Sequence, residues 1–209
     1  VNILDNTNSW DVWVYPTEKQ SLKNTVHITS VLDKETLKVL KKGGTVLYSP
    51  KKDELKPEYG GNIVMGYSPI FWNTAWTRQA QPPHMMGILA NPEHPLFELF
   101  PTKYYTSSQW WPLLMNSNTF YLSPLKTTAE PLVRVIDDWF SNQSLGLIIE
   151  GKIGKGKIVV SGADLINTND NIEVEQLRYA LLSYMESDAF NPKDELDIKV
   201  LKDMFKTKK

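Results

Sequence analysis

Residues 26–48 read VHITSVLDKETLKVLKKGGTVLY, and this stretch decides the fold class. Val26 to Thr29 is a β-branched patch of strand type. Asp33 is placed to cap a helix running to about Lys42, with Leu37 and Leu40 on its inner face. Gly43-Gly44 stops that helix, and Thr45 to Tyr48 follows at once as a second strand. Strand, helix, double glycine, strand is a βαβ unit, and such a unit predicts parallel strands in an α/β fold.

Outward from this unit, Trp10 to Tyr15 alternates apolar and polar positions before Pro16 and reads as a short strand. Residues 50–62 are charged and marked by Gly and Pro, so they read as a loop. Residues 63–124 are irregular, with a short helix expected near Gln109 to Met115. Long irregular stretches in compact domains tend to be functional or interface-forming. A β-rich run follows: Leu132 to Ile136, Leu145 to Glu150 and Ile158 to Ser161. Turn residues at 141–144 and 154–156 separate these strands. Asp170 and Glu173 form a capping-box pair for a helix from about Ile172 to Ser187, with Val174, Leu177, Leu181 and Tyr184 on one face. Asn191-Pro192 breaks the chain. A last helix, Lys193 to about Phe205, carries Leu196, Val200 and Met204 on one stripe and is charged elsewhere, which places it on a surface.

The chain has 209 residues, 41% hydrophobic and 22% charged, which suits one globular domain without staples. Its 23 basic and 24 acidic residues leave a net charge of −1. There is no basic excess to neutralise phosphates, which argues against nucleic acid as a partner. No apolar run approaches the ~20 residues of a membrane span. Cysteine is absent. Disulfides, thiolate metal sites and a cysteine nucleophile are therefore excluded, while the compartment is left open. The chain begins at Val1 and is expected to be cut from something longer.

The candidate chemistry falls away motif by motif. Gly151-Lys-Ile-Gly-Lys-Gly156-Lys157 nearly spells a phosphate loop. It lacks the following Ser or Thr and leads into a strand rather than a helix, so it reads as a hairpin turn. Asn167, Asn169 and Asn171 alternate like a calcium loop, but Ile172 and Arg178 stand where Gly and Glu are needed. These asparagines read as caps for the next helix. His27, His84 and His94 form no close pair, so no metal site is expected. Ser161 lies at a strand end without a nucleophile elbow. Asp137, Asp138, Glu150 and Asp164 lie near strand ends, and no spacing among them brings two across a cleft for glycoside hydrolysis. They read as surface or capping groups. Asn142-Gln143-Ser144 matches the glycosylation pattern, which is common by chance. No catalytic residue, metal ligand or cofactor site is assigned.

Several phrases, taken in order, carry a resemblance. They are Gly66 to Trp76 (GYSPIFWNTAW), Gln81-Pro-Pro-His84 with Gly87-Ile-Leu89, His94-Pro95, Phe100-Pro-Thr102, Gln109-Trp-Trp111, Val135 to Phe140, and Leu145 to Glu150 with Gly154 to Lys157. Over residues 10–191 the chain resembles the C-terminal region of bacterial glycoside hydrolase family 2 proteins, the β-galactosidase-like multidomain enzymes. It is similar, too, to their flavodoxin-like, amidotransferase-like accessory domains. The resemblance implies a three-layer sandwich with a mainly parallel sheet and an added β-hairpin region. It further implies that catalysis sits on a (β/α)₈ barrel of about 250 residues outside this chain, in a parent that is periplasmic or secreted by a saccharolytic bacterium. Amidotransferases use a Cys-His pair, and a chain without cysteine departs from that chemistry.

On this reading residues 1–16 are a strand linking to a preceding domain. Residues 17–191 are the α/β domain, and residues 192–209 are a charged helix and tail. Two roles are weighed. One is packing on the parent's other domains, or on a second copy of the chain, through the aromatic-rich stretch from Trp72 to Trp111. The other is carbohydrate binding, with Trp72, Trp76, Trp110 or Trp111 stacking on sugar faces and Arg78, Gln81 and His84 at the rim. For any one of these aromatics, ordinary packing is the commoner role.

Overall fold

The structure, a computed structural model, describes residues 2–3, 6–66, 85–138, 140–168 and 170–206. A two-residue ladder joins β1 (Asn2–Ile3) to β2 (Asn6–Thr7) near the chain start. The βαβ unit forms as its sequence dictates. Strand β3 (Val26–Thr29) leads to α1 (Lys34–Lys41), then to β4 (Thr45–Tyr48), which pairs parallel with β3. The Asp33 side chain caps α1 by accepting the Thr36 N–H at 2.9 Å, and this bond holds its carboxyl below the usual range. Gly43 ends the helix at a φ of +88°, where a side chain would be strained.

The remaining strands complete one open sheet. They are β5 (Gly87–Ala90), β6 (Phe120–Tyr121), β7 (Val133–Ile136), β8 (Ser144–Ile153) and β9 (Gly156–Ser161). The order is β3-β4-β9-β8-β7-β5, with β6 pairing β8. The β3–β4 and β4–β9 ladders are parallel; the others in this sheet are antiparallel. The sheet is therefore mixed, not mainly parallel as the sequence suggested. The cause is local. β8 and β9 are joined by Gly154-Lys155 with Ile153 opposite Gly156, and so short a connection can only make an antiparallel hairpin. Gly154 has the positive φ, +60°, that such a turn needs at its first central position.

Alternate side chains of the central strands go to opposite faces. Leu47, Ile148 and Val159 enter one apolar cluster; Val46, Tyr48, Ile149, Ile158 and Val160 enter the other. The first cluster is roofed by α2 (Trp111–Met115) and α3 (Ile172–Met185) through Leu113, Leu114, Val174, Leu177 and Leu181. The second is roofed by α1 and α4 (Ile198–Met204) through Leu40, Leu201 and Met204. Helices thus cover both faces of the sheet, an α/β/α arrangement.

Several boundaries differ from the sequence reading. The cap of α3 is Asn171, whose Oδ1 accepts the Glu173 and Val174 N–H groups at 3.1 Å each; the Asp170–Glu173 pairing was one residue off. The last helix is shorter than expected because Asp197 caps it, accepting the Lys199 N–H. Leu196 lies before it, on a segment bonded to β8 through Lys152. This C-terminal piece is more than a surface helix: Leu196, Leu201, Met204 and Phe205 are all core residues. Strands β5 and β6 arise in the stretch read as irregular. Trp10 to Tyr15 belongs to no ladder among the described residues.

Leu177→Ala should cost about 2–5 kcal/mol in denaturant unfolding, because it empties a fully buried site between α3 and the sheet. Ile172→Ala, one and a half turns away and exposed, should change stability by less than about 0.5 kcal/mol.

Candidate functional site

Of the sequence candidates, Trp72, Trp76, Arg78, Gln81 and His84 lie outside the described residues. Trp110 is fully buried. Phe97 and Phe100 meet its ring edge-to-face, and its Nε1–H donates to Thr102 Oγ1 at 2.8 Å. It is a core residue with no face to offer a sugar, which corrects that part of the stacking expectation. Trp111 follows it on α2 and is 46% exposed. The two neighbours thus part company: one is core and one is surface.

The other motifs resolve as structural groups. Ser161 Oγ is buried and donates to Ala163 O at 3.0 Å. Asp164 Oδ1 accepts from the Ile166 and Asn167 N–H groups, and Asp138 Oδ1 from those of Phe140 and Ser141. His27 contacts Thr36 Oγ1 at 3.3 Å. Among the described residues no three His, Cys, Asp or Glu side chains cluster to hold a metal. No helix among them is long and apolar enough to cross a membrane.

Two surface features carry functional interest. The first is the segment from Trp10 to Tyr15. Its inner side is seated. Tyr15 O–H donates to Gln109 Oε1 at 2.7 Å, its ring stacks on Phe100 at 6.0 Å, and Asp11 pairs with Lys103 at 3.4 Å. Its outer side is apolar and open. Trp10, Val12 and Val14 are 68%, 83% and 89% exposed. The alternation seen in the sequence is real, but its apolar positions split between domain and solvent.

The second feature is a cleft of about 510 Å³ whose walls include Leu89, His94, Tyr104, Glu130, Arg134 and Glu150. Strand lengths open it. The β7–β8 ladder ends at Val133 opposite Ile148, while β8 runs on to Ile153. Glu150 therefore stands beyond the end of β7. Tyr184 on α3 donates its O–H to Glu150 Oε2 at 2.8 Å. The His94 ring lies edge-on to Tyr184 at 5.1 Å. His94 Nδ1 accepts the Leu96 N–H, so the neutral imidazole carries its proton on Nε2.

Burial sets the charge states of this trio. It pushes the Glu150 carboxyl above the usual range, with the Tyr184 bond and nearby Lys157 opposing, and it pushes the His94 imidazole down. Lys157 is engaged elsewhere, donating to Phe190 O at 2.8 Å. Across the cleft Arg134 pairs with Glu130 and donates to Ser144 Oγ at 3.2 Å. A neutral imidazole, a carboxyl that resists ionisation and a guanidinium are all hydrogen-bonding groups at neutral pH. Sequence reasoning missed the site because Glu150, Tyr184 and His94 are far apart along the chain.

The fold and cleft define the class: a mixed-sheet α/β domain with helices on both faces and a polar cleft beyond the end of one strand. The chain belongs to the family described as a domain of unknown function (DUF8487), whose model matches residues 27–206. That span runs from β3 past the end of α4. No curated protein matches the chain.

The two perturbed groups give stability opposite pH slopes. Glu150 has a raised folded pKa, so its contribution is present below the ordinary glutamate range and lost as pH rises through the folded value. His94 has a lowered folded pKa, so its contribution is present above the ordinary histidine value and lost as pH falls through the folded value. Urea midpoints measured against pH should show Glu150→Gln flattening the first slope and His94→Gln the second.

Proposed function

We propose that this chain is a non-catalytic accessory domain of a carbohydrate-degrading multidomain protein, built on a flavodoxin-like, amidotransferase-like plan. In this role the segment from Trp10 to Tyr15 packs against the parent's other domains. The observation that carries the proposal is the two-sided character of that segment. Tyr15 and Asp11 pin it to the domain, while Trp10, Val12 and Val14 present a run of large apolar side chains to solvent. Isolated exposed apolar residues are ordinary; a contiguous run on an extended, unpaired segment is the kind of surface that a neighbouring protein covers.

Two further lines support the reading. The ordered phrases from Gly66 to Lys157 resemble the C-terminal region of family 2 glycoside hydrolases. The absence of cysteine removes the thiol on which amidotransferase chemistry depends. Fold alone does not fix function, so the parent's activity enters only through that resemblance.

The test is a triple variant, Trp10→Ser, Val12→Ser and Val14→Ser. In the isolated chain it should leave the unfolding free energy within about 0.5 kcal/mol of wild type, since the replaced side chains touch little. In the full-length gene product, limited proteolysis around residues 8–16 should be slow for wild type and markedly faster for the variant. Equal cleavage of the wild-type segment in the isolated chain and in the full-length protein would refute the docking role. The isolated chain should not turn over nitrophenyl glycosides. Turnover abolished by one of its own substitutions would refute the non-catalytic reading.

A further inference from the structure

Arg134 stands at the border of the cleft beside Glu150. A second groove of about 680 Å³ shares Leu89 and Arg134 with it and continues past Met86 to Asp137 and Gln143. Asp137 sits just after β7, only 7% exposed. Its Oδ2 accepts the Gln143 N–H at 2.7 Å, while its buried Oδ1 has no hydrogen-bond partner among the described residues. A buried carboxylate oxygen without a donor is costly and calls for an explanation. That atom has essentially no accessible surface, so a ligand in the groove reaches it only if the Asp137–Gln143 corner shifts.

The groups along this path select a ligand class. Arg134 and the Nε2–H of His94 donate; the carboxyl oxygens of Glu130 and Asp137 accept. Phosphate or another anion brings negative charge, and it would meet Glu130, Glu150 and Asp137 against a single arginine. An ammonium group donates only, and it would face Arg134 and the His94 N–H. A divalent cation has no cluster of three ligands among the described residues. A hydroxyl donates and accepts at once, so a molecule with several hydroxyls matches every one of these groups. The same walls carry the exposed Tyr104 ring, 57% accessible, and the Leu89 side chain. They are apolar surfaces suited to the C–H face of a ring.

We propose that the cleft between His94, Glu150 and Arg134, with the groove that adjoins it at Leu89 and Arg134, binds a sugar residue or short oligosaccharide. Tyr104 and Leu89 lie against its C–H face, while Arg134, Glu150 and His94 hold its hydroxyls. This site is separate from the Trp10–Tyr15 segment and does not depend on the docking role.

The experiment is an amide-resolved NMR titration of the isolated chain. The sugar probes are cellotriose, mannotriose, galactobiose and xylotriose. Inorganic phosphate and ethylamine are the anion and amine controls. The expected result is saturable binding of at least one sugar, with shifts centred on residues 89–94, 104 and 134–137. Tyr104→Ala and Arg134→Gln should each weaken it by about tenfold, the effect of losing roughly one good contact. Both positions are on the surface, and unchanged unfolding midpoints would show the variants intact. Four results overturn the proposal. They are no saturable shift with any of the four sugars up to about 10 mM (an affinity too weak to be specific), sugar shifts confined to another surface, binding unaffected by both variants, and phosphate or ethylamine filling the groove in preference to sugar. Because the titration reads nothing from Trp10, Val12 or Val14, either proposal can fail while the other stands.

Discussion

The burial of β4, β9 and β8 on both faces is the constraint on which the rest of the structure depends. Leu47, Val159 and Ile148 point one way, and Val46, Ile158 and Ile149 the other, all with essentially no exposure. Each such side chain contributes roughly 1.5–3 kcal/mol relative to an exposed position. A sheet of this kind needs helices above and below it. That need fixes α3 on one side and draws the C-terminal α4 onto the other. β8 is the hinge of the design. One of its edges pairs with β7. Its other edge pairs with β9 over the distal half and with β6 over the proximal half. The parallel and antiparallel parts of the sheet meet at the β8–β9 hairpin.

The functional surfaces follow from where that covering stops. Beyond Val133 no strand continues β7, so Glu150 looks into a cleft, backed by Tyr184 and His94. After Ile136 the chain turns through the Asp137–Asp138 corner, and the groove extends along it. At the other extreme the Trp10–Tyr15 segment lies over finished structure, anchored at Tyr15, with its outer apolar side chains covered by nothing among the described residues. The cleft has the polar mixture of a small-molecule site and the segment the apolar character of a protein contact. These are separate places with separate chemistry, which is why two roles can coexist on one small domain.

Much of the fold was legible because it depends on local signals. The Asp33 cap, the Gly43 stop, the Gly154-Lys155 turn and the helical stripe of Val174, Leu177 and Leu181 all appear where pattern and propensity place them. What was illegible depends on tertiary partners. β5 is only four residues long, too short for a pattern of its own, and it pairs along the edge that β7 offers. Trp10 to Tyr15 has the alternation of a strand, but among the described residues no strand pairs with it. The sheet's mixed character begins at the legible β8–β9 turn, but a count of βαβ units does not reveal that β7 and then β5 add to it antiparallel. Trp110 and Trp111 are adjacent and chemically identical, and only the packing of the Trp110 ring on Phe97 and Phe100 distinguishes core from surface. The cleft was beyond sequence reasoning for the same reason: Glu150 was visible only as a carboxylate near a strand end, and its partners come from α3 and from a turn after β5.

Native-state hydrogen exchange on the isolated chain tests most directly whether this double-faced sheet is one body. If it is, the amides of β4, β8 and β9 exchange slowest and with a common free energy equal to that of global unfolding, while residues 8–14 exchange orders of magnitude faster. Separate exchange of β3, β4 and β9 from β5, β7 and β8, as two units of different stability, would contradict a single core shared across the β8–β9 hairpin and with it the placement of both functional surfaces.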